Sequence, residues 1–191
     1  TISSGITTIK SKAFKDNDIA TLSLPNTIIT IGTSAFDGNA LTSVTLPTSL
    51  ETLGGLAFAN NLITSINIPN SVTSMGSYCW YRNKVTDAGG GITIGTGLTS
   101  LNTGAFSEAA FGVSGITSIT IPSNIGSISD IVFWGAPLTT ITMASATTTV
   151  YNTGTYTNHR TMGSYGADFV AAYGTGGAGT YNYSGGTWTK E

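Results

Sequence analysis

Apolar side chains recur along this chain at short periods nested inside a long one. In the runs LTSVTL (41–46), ITSINI (63–68) and ITSITI (116–121) the last four residues alternate. Val44 and Leu46 fall on one face and Ser43 and Thr45 on the other, as a strand with one buried and one wet face requires. Ile119 and Ile121 separate from Ser118 and Thr120 in the same way. A proline follows each of these runs, and having no N–H to offer a ladder, it ends the strand. The next segments, IITIG, LETLG and VTSMG, place apolar side chains three apart. They predict a second wall that is extended or 3₁₀-like, because their Thr, Ile and Gly content opposes α-helix.

The long period is fixed by treating Pro25 as an anchor. An aliphatic residue stands three and six places after it, a small residue at ten and an aromatic at eleven. Anchors fall at Ser3, Pro25, Pro47, Pro69, Gly95, Pro122 and Ala144, in steps of 22, 22, 22, 26, 27 and 22. The first six keep their aromatic, as Phe14, Phe36, Phe58, Trp80, Phe106 and Phe133. The two long steps hold insertions, AGGG at 88–91 and roughly EAAFG at 108–112. Such a period predicts a solenoid whose strands stack in parallel at about 4.8 Å, so that seven coils make a sheet about 30 Å long. Asn17, Asn39, Asn61 and Asn83 stand three places beyond the aromatic. An amide both donates and accepts, so this column is expected to satisfy backbone groups buried between coils. Ala109 and Ala136 hold that place later, and there the column lapses.

The phrase L-T-S-V-T-L-P-x-S-L-x-x-L-G-x-x-A-F-x-x-N resembles the BspA-like, treponemal-type leucine-rich repeat of bacterial surface proteins, over about residues 2–150. The resemblance implies a right-handed solenoid with a parallel sheet on its concave side. It also implies secretion or surface display, adhesion to host or matrix partners, and no catalysis. Gly95 and Ala144 in place of proline, Trp80 in place of phenylalanine, and the two insertions depart from the pattern and bear on local curvature.

Two regions are expected: a solenoid of about seven coils over 1–150, and a cap over 151–191, where six of the eight tyrosines lie. In the cap, ADFVAAYG (167–174) reads as a short helix with Asp168 in its first turn and Gly174 as its stop. TYNYSGGTWTK reads as a β-hairpin around Ser184, Gly185 and Gly186. An aromatic helix and hairpin can close the last coil of a solenoid. The tail is similar to the FxxAY, GAGTY and GGTWTK ending of some spirochaete repeat proteins, which brings no activity with it. At the other end the first residues match the repeat from the sixth residue of its strand onward. A truncated first strand and a trimmed or processed N-terminus are therefore expected, with no signal peptide in this stretch.

Composition removes several function classes. Only 8% of residues are charged, against about 25% in an average soluble protein, and Thr, Ser, Asn and Gly fill the surface instead. A net charge of −2 with seven Lys and Arg lacks the basic face that nucleic acid needs; Lys10, Lys12 and Lys15 read as a solvated patch. No apolar run reaches the roughly 18 residues of a membrane span. Cys79 is the only cysteine and takes the small-residue position held elsewhere by Ala13, Ala35, Ala57 and Ala105, so it reads as core.

Catalysis and cofactors find no support. Gly174, Gly176 and Gly179 spell GxGxxG, but after a helix and before a strand, the reverse of a dinucleotide site. His159 stands near Ser164 and Asp168 without a nucleophile turn or an oxyanion hole. Asp16, Asp37, Glu51, Asp87, Glu108 and Asp130 are scattered singly, with no calcium-loop spacing, so no metal is expected. Asn182-Tyr183-Ser184 is a formal glycosylation sequon, read as idle in a bacterial protein.

What remains is a surface. The outward strand positions are Ser23, Ser43, Thr45, Ser65, Asn67, Thr93, Ser118, Thr120, Thr140 and Thr142, a nearly uncharged face of hydroxyls and amides. It is either a soluble sheet surface rich in good strand formers or a concave binding face suited to glycans or polar peptides. The binding reading takes Ser43, Thr45, Ser65, Asn67, Thr93, Ser118, Thr120 and Thr142 as contacts. Tyr78, Tyr81 and Trp134, beside the core aromatic, are further candidates for stacking on sugars, with packing against the insertions as the alternative. The expectation is a monomeric, secreted or surface-displayed recognition module whose partner is a protein or glycan, with no nucleic-acid partner. The alternatives are a spacer without its own ligand and an ice-binding threonine face, the latter opposed by the irregular steps at 95 and 122.

Overall fold

In every coil a Thr or Ser stands five places beyond the anchor and an aliphatic residue six places beyond it. In the computed structural model, which describes residues 1–109, 115–151, 173–174 and 176–191, these pairs become the solenoid's most regular wall. The described strands are β1 (Thr8–Ile9), β2 (Thr30–Ile31), β3 (Thr52–Leu53), β4 (Ser65–Asn67), β5 (Ser74–Met75), β6 (Gly91–Thr93), β7 (Ser100–Leu101), β8 (Ser118–Ile121), β9 (Ser127–Ile128), β10 (Thr140–Met143), β11 (Thr149–Val150), β12 (Gly179–Ser184) and β13 (Thr187–Lys190). They build about 6 turns of parallel strands. The wall after the anchor carries the sheets β1-β2-β3-β5 and β7-β9-β11, and the wall before it carries β4-β6 and β8-β10, the latter continued by β12 and β13.

This distribution corrects one expectation. The run LTSVTL alternates as anticipated, with Leu41 and Leu46 buried, Val44 half-buried, and Ser43 and Thr45 exposed, but it forms no ladder. The wall expected to be merely extended is the one that pairs in every coil. The asparagine column takes one donor from the start of these runs, although 63–68 still pairs as β4 with β6. Asn61 Oδ1 accepts from Leu41 N–H at 3.1 Å and Asn83 Oδ1 accepts from Ile63 N–H at 3.1 Å, so the start of each run is committed to a side chain. Proline closes the other end without a donor. Where alanine replaces the asparagine, at 109 and 136, the following strands β8 and β10 lengthen to four residues each.

The asparagines themselves do what their position predicts. The amide Nδ2 of Asn39, Asn61 and Asn83 donates to the carbonyls of Phe14, Phe36 and Phe58 in the preceding coil, at 2.8, 2.9 and 3.0 Å. Each also donates back to its own turn. Asn61 and Asn83 are almost wholly buried, whereas Asn17 is exposed and bonds only the carbonyl of Lys15.

Inside the coils the aromatic side chains stack face to face: Phe14 on Phe36 at 5.2 Å, Phe36 on Phe58 at 5.3 Å and Phe58 on Trp80 at 4.8 Å. Phe106 and Phe133 form a second stack at 5.4 Å. Each aromatic turn is bracketed by two left-handed residues four apart, such as Leu56 and Asn60 or Tyr78 and Arg82. Coils approach closely beside it, since a Cβ built on Gly54 would fall 2.3 Å from the Thr33 nitrogen. Cys79 is completely buried, and that burial pushes its thiol up to about 12. A neutral, inaccessible thiol does not attack alkylating agents. Iodoacetamide at pH 8 is therefore expected to label Cys79 only in denaturant, and labelling of the folded chain at the rate of a free thiol would contradict this packing.

The two long steps of the repeat open the stack on opposite walls. Between the coils of Pro69 and Gly95, β4 pairs with β6 while β5 and β7 are not paired, and Trp80 does not stack on Phe106. One coil later the pattern reverses: β7 pairs with β9 and Phe106 stacks on Phe133, while no ladder joins β6 to β8. The coil of Gly95 thus pairs its strands with its predecessor on one wall and with its successor on the other, while its aromatic turn bonds to both. Trp80 Nε1 and Ser107 Oγ, both buried at this level, have no hydrogen-bond partner among the described residues.

At the C-terminal end the hairpin forms as anticipated. Ser184 pairs with Thr187 around Gly185 and Gly186, whose φ values of 60° and 94° give the turn a twist that suits a two-residue hairpin. β12 lies antiparallel on β10, so the hairpin continues the last strand of the solenoid sheet. Tyr181 is buried beneath it, and the Tyr173 hydroxyl donates to the Ser145 carbonyl at 2.8 Å and accepts from Thr148 N–H at 3.1 Å. Tyr173, Gly174 and Gly176 are helical, and the rest of the helix expected over 167–174 lies outside the described residues. His159, Ser164 and Asp168 also lie outside them.

Candidate functional site

Alternation along the wall before the anchor turns every second side chain outward, and stacking brings these side chains from successive coils together. They border two open, adjoining depressions. One, of about 690 Å³, is lined by Ser43, Thr45, Ser65, Asn67 and Thr93 together with the largely buried Leu46, Ile68 and Ile94. The other, of about 670 Å³, is lined by Thr93, Ser118, Thr120, Thr140 and Thr142, with Ile92, Ile94 and Ile119. Thr93 and Ile94 belong to both. The eight polar residues taken as contacts from sequence each line one or the other, whereas Ser23 lines neither. Volumes of this size fall within the range that holds small ligands or short segments of larger ones.

Hydrogen bonding divides the face. Thr140 Oγ1 donates to Asn182 Oδ1 at 3.0 Å, and Thr142 Oγ1 lies 3.2 Å from Thr180 Oγ1, so the hairpin occupies these two hydroxyls. For Ser43, Thr45, Ser65, Asn67, Thr93, Ser118 and Thr120 no side-chain hydrogen bond is made within the described residues. These side chains can turn toward a ligand without first breaking a bond to the protein.

The second depression lies over the gap between β6 and β8. Asp87 is the only charged residue lining either depression. Its Oδ2 accepts from Thr117 N–H at 3.0 Å and from Thr117 Oγ1 at 2.7 Å, tying the two sides together at one end. Its other carboxylate oxygen has no partner among the described residues. Sequence reasoning placed Asp87 only among the scattered acids. Its position follows from the AGGG insertion, whose bulge could be read from the repeat spacing, although its neighbour across the gap could not.

The aromatic candidates are not brought to this face. Tyr78 packs edge-on against Tyr81 at 5.7 Å, and its ring lies over Gly104, where a Cβ would come within 2.3 Å of it. Arg82 sits 5.0 Å from the centre of the Tyr81 ring and donates to Glu108 at 2.7 Å. Burial, and secondarily Glu108, raises the Tyr81 hydroxyl above its ordinary pKa. Tyr78, Tyr81 and Trp134 line neither depression.

A further hydroxyl array escaped the sequence reading. Thr8, Thr30, Thr52 and Ser74 stand in register along the other wall, as do Ser100, Ser127 and Thr149. Its signal was plain in the repeat, as the invariant Thr or Ser five places after the anchor. Among the described residues no three His, Cys, Asp or Glu side chains are grouped to hold a metal. No described helix is long and apolar enough to cross a membrane.

Residues 7–111 and 91–162 match the family model described as the BspA type leucine rich repeat region, in 6 copies. Among solved structures the chain is similar to a leucine-rich repeat protein from Bacteroides ovatus ATCC 8483, with 26% sequence identity and a TM-score of 0.58. The likeness covers 69% of this chain and 33% of that one, so it spans about a third of the solved protein's length. No curated protein matches.

Proposed function

We propose that this chain, which belongs to the BspA-type leucine rich repeat family, is a noncovalent recognition module of a secreted or surface-displayed bacterial protein. Its strand face adheres to host or matrix partners. The family is a protein-interaction repeat, and the supporting observation here is the set of seven polar side chains, from Ser43 to Thr120, that border two adjoining depressions and make no side-chain hydrogen bond among the described residues. Neutral hydroxyls and amides over an aliphatic floor suit polar, uncharged or weakly basic surfaces. Without an aromatic anchor the affinity per site is modest, and a larger surface in the whole protein would add to it.

Thr142 drops out of the contact set in this reading because the hairpin holds it, as it also holds Thr140. Replacing Thr45, Asn67 and Thr120 together with alanine is expected to weaken adhesion to matrix-protein and glycan arrays by at least about tenfold, at one lost hydrogen bond per site. The circular dichroism spectrum and melting temperature should hardly change, since these side chains make no hydrogen bond among the described residues. A matched variant of the other wall, Thr8→Ala with Thr52→Ala, should bind as the parent does. Equal binding by the triple variant would leave a spacer role in place of recognition.

A further inference from the structure

At the junction of β6 and β8 a carboxylate does what amides do elsewhere. Asn39, Asn61 and Asn83 accept the first N–H of a neighbouring run with a neutral side chain. Asp87 instead accepts Thr117 N–H and Thr117 Oγ1 on one oxygen, Oδ2, at 3.0 and 2.7 Å. An amide oxygen serves that structural purpose equally well, so the negative charge is surplus to it. The charge is also uncompensated. Neither depression is lined by a lysine, arginine or histidine, and Asp87 makes no ion pair among the described residues. In a chain with 8% charged residues, it is the one charge on a face of neutral hydroxyls and amides.

The bonds to Thr117 also decide what can enter. They tie the two sides of the depression together, so an occupant comes from above the sheet, as a side chain, and not between the strands. They commit Oδ2 and leave Oδ1 open. A guanidinium fork uses both oxygens of a carboxylate, whereas an ammonium is a point donor that needs one, and hydroxyls can take its other protons. Thr93, Ser118 and Thr120 line the same depression with hydroxyls that make no side-chain hydrogen bond among the described residues. Ile94 and Ile119 are buried and Ile92 half-buried beneath them, an aliphatic floor on which methylene groups can rest. Gly90 and Gly91 border the depression without a side chain, which keeps the approach to Asp87 open.

We propose that the depression beside Asp87 seats the side chain of a lysine that projects from a protein partner. The ammonium donates to Asp87 Oδ1 and to neighbouring hydroxyls, and the four-carbon stem lies over Ile92 and Ile119. An exposed pair of this kind adds little affinity, and its effect is on which partner is chosen. A lysine set among small, uncharged residues is preferred, because a second charge finds no counterpart on the face. The inference rests on the recognition role of this face and names the chemistry of its partner.

The test uses random heptapeptide loops displayed on a folded scaffold and panned against the intact chain, with synthetic copies of the binders placed by amide chemical-shift mapping. Binders that shift Gly90, Gly91, Ser118 and Thr120 should each carry a lysine. Replacing that lysine by norleucine should weaken binding about threefold to fivefold, as loss of an exposed ion pair does, and replacing it by arginine at least about twofold. Asp87→Asn keeps an acceptor for Thr117, so its melting temperature should match the parent, and the lysine and norleucine forms should bind it alike. A lysine dependence that survives in Asp87→Asn, equal binding of the lysine and arginine forms, binders at these amides without lysine, or no binder there would each overturn the proposal. Chitotetraose and its deacetylated form, tetraglucosamine, are titrated in parallel. If chitotetraose binds this face and no lysine peptide does, the lysine seat fails and the recognition role stands. If tetraglucosamine matches the lysine peptides and loses as much in Asp87→Asn, the amine belongs to a glycan and the protein partner is overturned. If lysine peptides dock beside Asp87 while the Thr45, Asn67 and Thr120 triple variant adheres normally, the broader hydroxyl-face reading fails and the lysine seat stands.

Discussion

Phe58→Ala is expected to unfold the solenoid at physiological temperature. Phe58 is completely buried and lies between Phe36 at 5.3 Å and Trp80 at 4.8 Å, so its removal opens a void with a ring on either side. Neither neighbour can collapse into that void without leaving its own coil, because Gly54 and Gly76 already hold the backbones at closest approach. Large-to-small substitutions of this kind cost about 3–5 kcal/mol, a large share of the roughly 5–15 kcal/mol that holds a domain together. In a repeat protein the loss also severs the cooperativity that couples coils on either side, since each contacts only its neighbours. Urea titration followed by tryptophan fluorescence and far-ultraviolet dichroism measures the effect. A loss below about 1 kcal/mol would mean that the aromatic column fills space without holding the coils. Phe14→Ala is the internal comparison: Phe14 is only half-buried and stacks on one side, so its loss should cost visibly less.

Asn61→Ala should also be destabilising, through a different mechanism. The alanine leaves Leu41 N–H without its acceptor and the carbonyls of Phe36, Phe58 and Ala59 without the Asn61 donor. The carbonyls keep Asn39, Asn83 and Gly38 as donors, so the buried group left unsatisfied is Leu41 N–H, at about 1–3 kcal/mol, and the lost amide bonds add to that. Asn17→Ala, at the exposed end of the same column, should be close to neutral. Asn61→Asp separates hydrogen bonding from shape. Its carboxylate would face three carbonyl oxygens, so the folded chain favours the protonated acid and raises its pKa above the unfolded value of about 3.9. Between those two pKa values the folded state binds more protons than the unfolded state. Stability is therefore highest below the unfolded pKa and falls as pH rises through the window to the folded pKa. A variant whose stability rises with pH across that window would refute this account of the column.

The pattern of residues revealed most of the coil and little of the way coils join. Alternation placed Ser43, Thr45, Ser118 and Thr120 outward correctly, and the spacing of Phe, Ala and Asn located the interior column, because each depends on one coil meeting a near copy of itself. The choice of which wall forms the ladder was not legible. Asn61 and Asn83 capture backbone N–H groups of a neighbouring coil, a contact between coils that a single repeat does not display. The irregular steps at 95 and 122 were visible as numbers. Their effect was not, since opening one wall at β5 and β7 and the opposite wall at β6 and β8 is a property of two neighbouring junctions. The aromatic candidates Tyr78, Tyr81 and Trp134 were read from chemistry alone, and the left-handed turn at Tyr78 aims its ring along the coil edge, over Gly104.

The terminal hairpin has a consequence for self-assembly. A bare solenoid end presents one more rung for an identical end to continue, which is the geometry of a head-to-tail filament. Here the rung after β10 runs in the opposite direction, and Tyr181 and Trp188 are folded beneath it. An incoming parallel coil would find strand polarity reversed. Its edge, β13, is four residues long and carries Lys190, whose ammonium is drawn to the Gly176 carbonyl at 2.7 Å. The hairpin therefore covers the β10 edge with a strand of opposite polarity, and a parallel coil cannot continue this sheet across it.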